Sequence, residues 1–221
     1  MAKKKKKRRL RVGRLFLLLI ILGIICFLLY HFVDIPIKSI TIKGNDNLTD
    51  QEVIEIAKLE DYPSFFGTLT LSIKNKLENN FYIRKATVTK GFFTIKIKID
   101  EEDILYIDKN NMKYSMDGSK KDDKSLCVPY LINEVPKNKI KRFKKAMTKL
   151  NKNVLCKISE IKYYPNDIDK DRYLAYMDDG NEVYLTVNKF KKLNKYDTIL
   201  ESIGKQNGVL YLDYGDYFEA K

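Results

Sequence analysis

The longest apolar run in the chain is Leu15 to Val33, LFLLLIILGIICFLLYHFV, 19 residues with no acidic or basic side chain apart from His31. As a helix it is about 28 Å long, close to the thickness of a bilayer's hydrocarbon core. A secretory signal has a shorter apolar core, about 7–15 residues, and ends in a small-residue cleavage site. Here Tyr30-His31-Phe32-Val33-Asp34-Ile35-Pro36 follows instead. An uncleaved transmembrane helix over residues 15–33 is therefore expected.

Beyond Pro36 the period changes. Ile37, Ile40 and Ile42 lie among Lys38, Thr41 and Lys43 and run into Gly44-Asn45, a strand closed by a turn. Thr49-Asp50-Gln51-Glu52 then spells a capping box, and Val53, Ile54, Ile56 and Ala57 follow at helical spacing, which predicts a helix from Asp50 to Leu59. Glu60 to Gly67, with Pro63, reads as a loop. Leu69, Ile73 and Leu77 form one stripe of a second helix that ends at Asn79-Asn80. Ile83 to Lys90 is a strand, Gly91 begins a turn, and Thr94 to Asp100 alternates Ile95, Ile97 and Ile99 against Lys96 and Lys98. The order β-α-α-β-β makes an α+β layer, two helices on one face of a three-stranded sheet.

Residues 103–221 read as a mixed β-sheet domain with one or two helices. Ile104–Ile107 and Met112–Met116 are strands around an Asp108–Asn111 turn, and Lys120–Lys124 is a charged loop. Val128–Ile132 reads as an edge strand, because Pro129 has no N–H for a ladder. Ile140, Phe143, Met147 and Leu150 stripe a helix from Lys139 to Lys152 that packs on a sheet with its basic face in solvent. Ile158–Tyr164, Tyr173–Met177 and Glu182–Val187 are strands, the last two joined by the hairpin turn Asp178–Asn181. Phe190–Ile203 is helical, and Gly208–Tyr214 is a terminal strand followed by Gly215-Asp216-Tyr217-Phe218. Nothing evident covers the outer edge of that strand. It invites an added strand, with Tyr211, Leu212, Asp213, Tyr214, Tyr217 and Phe218 as candidate partner contacts. Alternation along a strand turns half of them toward the protein's own core.

Charge alters this picture at one end. The chain has 42 Lys and Arg against 29 Asp and Glu, a net charge of +13. Nine of the cations (Lys3 to Lys7, Arg8, Arg9, Arg11 and Arg14) lie in residues 1–14, which leaves 33 bases against 29 acids elsewhere. A basic flank before an apolar span belongs in the cytoplasm, so residues 34–221 are expected outside, with Tyr30 and His31 at the outer interface. The tail can also meet anionic lipid. No nucleic-acid partner is needed to explain it.

Composition removes most chemistry. One histidine leaves no imidazole for a triad or a His-rich zinc site, and three cysteines without CxxC spacing exclude a zinc ribbon. Asp167, Asp169 and Asp171 have calcium-loop spacing, but the sixth position, where a calcium loop requires glycine, is Arg172. Glu101-Glu102 and Asp122-Asp123 are carboxylate pairs with no apolar cleft around them. No phosphate loop appears. The expectation is a protein without catalytic activity, cofactor or metal. Cys26 falls in the apolar span, while Cys127 and Cys156 lie outside, where a disulfide is permitted, although sequence alone does not place them together.

The basic tail and anchor, the run I-x-x-I-x-I-x-G-N-x-x-L-T-x-x-E (Ile37 to Glu52), I-R-K-A-x-V (Ile83 to Val88) and the I-K-I-K-I strand together resemble the FtsQ/DivIB family of bacterial cell-division proteins. The resemblance implies a POTRA domain at 35–102 and a β domain at 103–221. The family often has Trp and Pro where this chain has Lys90-Gly91-Phe92-Phe93, and the terminal Asp213–Phe218 lacks an Arg common there. It further implies a non-catalytic, single-pass type II membrane scaffold concentrated at the division septum. The terminal region of its β domain binds short coiled-coil division proteins (FtsB/DivIC and FtsL type), beside the septal peptidoglycan synthesis machinery. A different function for the same architecture is a POTRA-bearing membrane protein that assists secretion or assembly of an extracellular substrate.

Overall fold

The structure, a computed structural model, describes residues 12–33, 35–204 and 206–221, and within the first helix the side chains of 13–28 and 30. The cationic run Lys3–Arg11 and the His31 side chain lie outside the described residues. The chain divides into two compact units at Asp100/Glu101.

Helix α1 (Val12–Val33) starts three residues before the apolar run. Its described side chains are exposed, among them Leu15, Phe16 and Phe27. Among the described residues no helix is long and apolar enough to cross a membrane, the unbroken run of described side chains in α1 being Gly13–Leu28.

The first unit continues with β1 (Ser39–Lys43), α2 (Asp50–Ala57), α3 (Thr70–Glu78), β2 (Ile83–Lys90) and β3 (Thr94–Glu101). β3 lies between β1 and β2, and it pairs in parallel with β1. Its isoleucines Ile95, Ile97 and Ile99 are buried together with Val53 and Ala57 of α2 and Ile73 and Leu77 of α3. The turn motif has a local cause at each position. Gly44 adopts a left-handed φ of +85°. The Asn45 amide donates to the Leu48 carbonyl and to Asp50. Leu48 is buried, and Thr49 and Glu52 complete the capping box. Leu69 departs from the expected stripe: it is the extended residue before α3 and is exposed, so Ile73 and Leu77 alone anchor that helix.

The second unit is one nine-stranded mixed sheet in the order β12-β11-β10-β9-β8-β7-β4-β5-β6. Its strands are β4 (Tyr106–Asp108), β5 (Met112–Tyr114), β6 (Ser119–Lys121), β7 (Tyr130–Leu131), β8 (Ile158–Tyr163), β9 (Arg172–Met177), β10 (Glu182–Thr186), β11 (Gly208–Tyr211) and β12 (Tyr217–Ala220). Three α-helices, α4 (Lys137–Met147), α5 (Lys152–Lys157) and α6 (Tyr196–Ser202), and a 3-10 helix at Phe190–Lys195 contribute to its core, more than the one or two expected. The expected helix Lys139–Lys152 ends at Met147, and α5 follows Asn151. Phe143 and Met147 of α4 join Tyr173, Ala175, Val183, Leu185, Phe190 and Leu210 in one buried cluster, with the Phe143 ring stacked 4.9 Å from Tyr173.

Two sequence expectations fail here. The expected edge strand near Pro129 lies inside the sheet: β7 pairs in parallel with both β4 and β8. Only two residues enter the ladder, and Pro129 precedes them, accepting the Ile107 N–H through its carbonyl, so the missing donor costs nothing. The charged loop Lys120–Lys124 begins inside β6, and Asp122 holds the fully buried Lys113 ammonium at 2.7 Å. A buried lysine with its carboxylate attached is tolerated where a lone one is not.

Cys127 and Cys156 form a disulfide with Cα atoms 4.8 Å apart, which joins the approach to β7 to α5. It closes a loop of 29 residues beside the narrowest strand of the sheet. Replacing both cysteines by serine is expected to lower stability by about 2 kcal/mol, at the low end for such loops because β7 is already paired on both sides. The urea midpoint of the full-length protein in detergent reads this out. An unchanged midpoint would mean that the core alone holds the junction.

Tyr106, Tyr173 and Tyr196 are almost wholly buried. Burial pushes all three hydroxyls well above the ordinary tyrosine value, and Tyr196 also donates to the Asp179 carboxylate at 2.8 Å. The unfolded chain loses these protons near pH 10 while the folded one keeps them. Stability is therefore full below about pH 10 and falls above it, by about 1.4 kcal/mol per pH unit for each tyrosine. Urea midpoints measured between about pH 9 and pH 11 should drop accordingly. A flat profile would contradict the burial of these hydroxyls.

Candidate partner-binding surface

The terminal strand ends earlier than expected, at Tyr211, and the chain turns through Gly215, at φ +105°, into β12. β12 pairs antiparallel with β11 from Gly208↔Ala220 to Tyr211↔Tyr217, so the outer edge of β11 is covered and β12 is the outermost strand on this side. The Lys221 N–H donates to the Asn207 carbonyl. Alternation along an antiparallel pair then turns the N–H and C=O of Phe218 and Ala220 away from β11, toward the open edge.

The six candidate contacts separate. Leu212 is buried in the core cluster, and its N–H donates to the Tyr184 carbonyl. The Asp213 side chain is 3% exposed and accepts the Arg172 Nε–H at 2.6 Å. Phe218 packs against the core from its half-buried position. Those three side chains are engaged by the fold, Leu212 and Asp213 buried and Phe218 half-buried. Tyr214 and Tyr217 are exposed, and Tyr211 is half-buried on the outer face of the sheet.

The outer face carries a feature that spans four strands or strand ends. Tyr217 stacks on Tyr211 at 4.5 Å, Tyr211 on Tyr184 at 5.2 Å, and Tyr184 lies 6.0 Å from Tyr164. Parallel pairing sets Tyr184 directly beside Tyr211. The Arg172 guanidinium sits 3.9 Å above the Tyr184 ring, clamped by Asp213, so the loop leaving β11 and the tyrosine row are tied at one point. Lys189 donates to the Asp213 carbonyl and Lys192 to the Asp216 carboxylate, which holds that carboxyl below its usual range. Partial burial, then Glu219 beside it, raises the Tyr211 hydroxyl. Tyr164, Arg172 and Tyr184 escape sequence inspection because the neighbour of β11 on its inner side, β10, is set by the fold. The outward alternation of Glu182, Tyr184 and Thr186 was the available signal.

Aromatic rings and a fixed guanidinium bind by stacking and hydrogen bonding, and rigid anchors of this kind dominate interface energies. Asp171 is committed to Lys139 and Arg142, and among the described residues no three His, Cys, Asp or Glu side chains converge as metal ligands.

Residues 35–102 match the family described as POTRA domain, FtsQ-type. The cell division protein DivIB of Bacillus subtilis is 27% identical over 97% of this chain and 87% of its own length. DivIB of Listeria monocytogenes is 29% identical over 99% of this chain and 85% of its own. A solved structure, the major extracytoplasmic domain of DivIB from Geobacillus stearothermophilus, aligns at 22% identity and a TM-score of 0.37, over 48% of this chain and 97% of that one. An FtsQ-type POTRA domain at residues 35–102 thus sits within a likeness to DivIB cell-division proteins that runs along nearly the entire chain.

Proposed function

We propose that this chain is a non-catalytic, single-pass scaffold of the division machinery, with its N-terminus in the cytoplasm and both folded units outside. The apolar run Leu15–Val33 and the cations before it support that topology. The observation that carries the function is the open edge of β12 beside the tyrosine row. Short coiled-coil division proteins of the FtsB/DivIC and FtsL type add an extended segment to that edge. Backbone groups of Phe218 and Ala220 supply the ladder, and Tyr217 and Tyr214 supply the side-chain anchors. Holding them on one membrane raises their effective concentration near the septal peptidoglycan synthesis machinery.

Ala220→Pro tests the edge. It removes an outward N–H without touching the bonds to β11, whereas Ala220→Ser leaves the N–H in place. Recovery of the coiled-coil partners with the full-length protein should fall about tenfold for the proline variant and stay unchanged for serine. Equal recovery from both would place the partner elsewhere. An N-terminal fluorescent fusion should gather at midcell before constriction. A uniform membrane ring would favour a secretion or assembly role.

A further inference from the structure

Four phenylalanines meet at one end of the POTRA unit. Phe65 and Phe66 have ring centroids 5.3 Å apart, Phe65 and Phe93 5.4 Å, and Phe92 and Phe93 4.4 Å. They are not hidden: Phe92 is 87% exposed and Phe66 52%. Phe93, a bulky residue, is held at φ +55°, a left-handed conformation that such residues rarely adopt. In this turn Phe92 stands out into solvent. Clustered, outward aromatic rings on a folded domain mark a surface that something covers.

Backbone connections say where this cluster is. The Phe65 N–H donates to the Ile35 carbonyl at 2.8 Å, the Lys38 N–H donates to the Phe93 carbonyl at 2.8 Å, and Pro36 bridges Ser64. Both aromatic pairs are thus fastened to residues 35–38. One residue separates Ile35 from Val33, the last of α1, so Ile35 lies within about 7 Å of the helix end whatever the angle between them. Two lysines lie over the same rings: Lys90 Nζ is 4.5 Å from the Phe65 centroid and Lys38 Nζ 5.5 Å from that of Phe93. Aromatic rings with cations beside them match the head-group layer of a bilayer, where rings sit among the glycerol groups and ammonium groups reach phosphates.

We propose that this aromatic end of the POTRA unit rests on the outer lipid surface beside the anchor, with Phe92 and Phe66 inserted at head-group depth and Lys38 and Lys90 facing lipid phosphate. The proposal rests on α1 crossing the membrane. It gives the strained Phe93 turn a role: the turn fixes the first outer unit against the bilayer as well as tethering it there.

The chain contains no tryptophan, so each single Trp variant carries a unique reporter. Full-length Phe92→Trp, Phe27→Trp and Ile168→Trp are reconstituted into vesicles of phosphatidylcholine and phosphatidylglycerol containing lipids brominated near the head group or near the chain ends. Phe92→Trp should lose about twofold or more of its emission to shallow bromines and less to deep ones. Phe27→Trp should be quenched by the deep ones, and Ile168→Trp, in the second unit, by neither. Quenched Phe27→Trp with unquenched Phe92→Trp would overturn this inference and leave the anchor standing. Unquenched Phe27→Trp would overturn the anchor and the inference with it. Lys38→Gln with Lys90→Gln in the Phe92→Trp background should weaken the shallow quenching. No change would overturn the phosphate contact.

Discussion

Gly44→Ala is expected to destabilise the POTRA unit by about 2–5 kcal/mol, the sum of a left-handed backbone cost of about 1–2 and an overpacking cost of about 1–3. Gly44 ends β1 at φ +85°, and a Cβ built there falls 2.2 Å from the Ile99 carbonyl oxygen and 3.3 Å from its carbon. The obstacle is backbone of the central strand, so no side-chain rotation relieves it. Either β1 withdraws from β3 or Ile99 leaves the buried face it shares with Ile95 and Ile97. Gly180→Ala is the control. Its φ is +86° but nothing lies within 4 Å, so it should cost only the conformational part, about 1 kcal/mol. Hydrogen exchange of residues 39–43 and 94–99 in the full-length protein measures the first, and the urea midpoint compares the two. Equal effects would show that the approach to Ile99 is unimportant.

That glycine also shows what the sequence can disclose. The N-x-x-L-T-x-x-E run after it is legible because its polar positions answer to partners a few residues away: Asn45 to Leu48 and Asp50, Thr49 to Glu52. The alternation of Ile95, Ile97 and Ile99 is legible for the same reason, since a period of two needs no knowledge of what the face meets. What the sequence misleads on or leaves open depends on distant neighbours. Pro129 argues for an edge only if its residue joins the ladder, and it stops one residue short of β7. The burial of Lys113 requires the Asp122 carboxylate that follows β6. Tyr184 joins the tyrosine row because β11 arrives in parallel, after the 3-10 helix and α6. Cys127 and Cys156 close because β7 and α5 converge. Most of all, four residues at the very end of the chain return as β12, and so convert the expected free edge into an interior one.

Gly208→Val is expected to expel that last strand and with it the proposed partner surface. A Cβ at Gly208 falls 2.1 Å from the Glu219 carbonyl oxygen, 2.6 Å from the Phe218 ring and 3.0 Å from the Ala220 Cα. β11 cannot retreat, because the Gly208 N–H donates to the buried Asn181 side chain at 2.7 Å and the opposite flank is paired to β10. β12 has only β11 to hold it, together with Phe218 against the core and the Lys221–Glu182 ion pair. Losing the ladder and the Phe218 contact costs about 3–4 kcal/mol of local stability, from several hydrogen bonds at about 1 kcal/mol each and part of one aromatic burial. Undocking then limits the whole loss to that amount, since the core beneath β11 stays intact. Hydrogen exchange should therefore show loss of protection confined to 208–211 and 217–221. Recovery of the proposed coiled-coil partners should fall by at least about tenfold, because the edge and the Tyr211–Tyr217 stack leave together. Ala220→Pro separates the two effects: it blocks an added strand while β12 stays docked. If Gly208→Val frees β12 and the partners still bind, they do not bind through this edge, and the half-buried Tyr184 on β10 with the exposed Tyr164 at the β8 end becomes the surface to test.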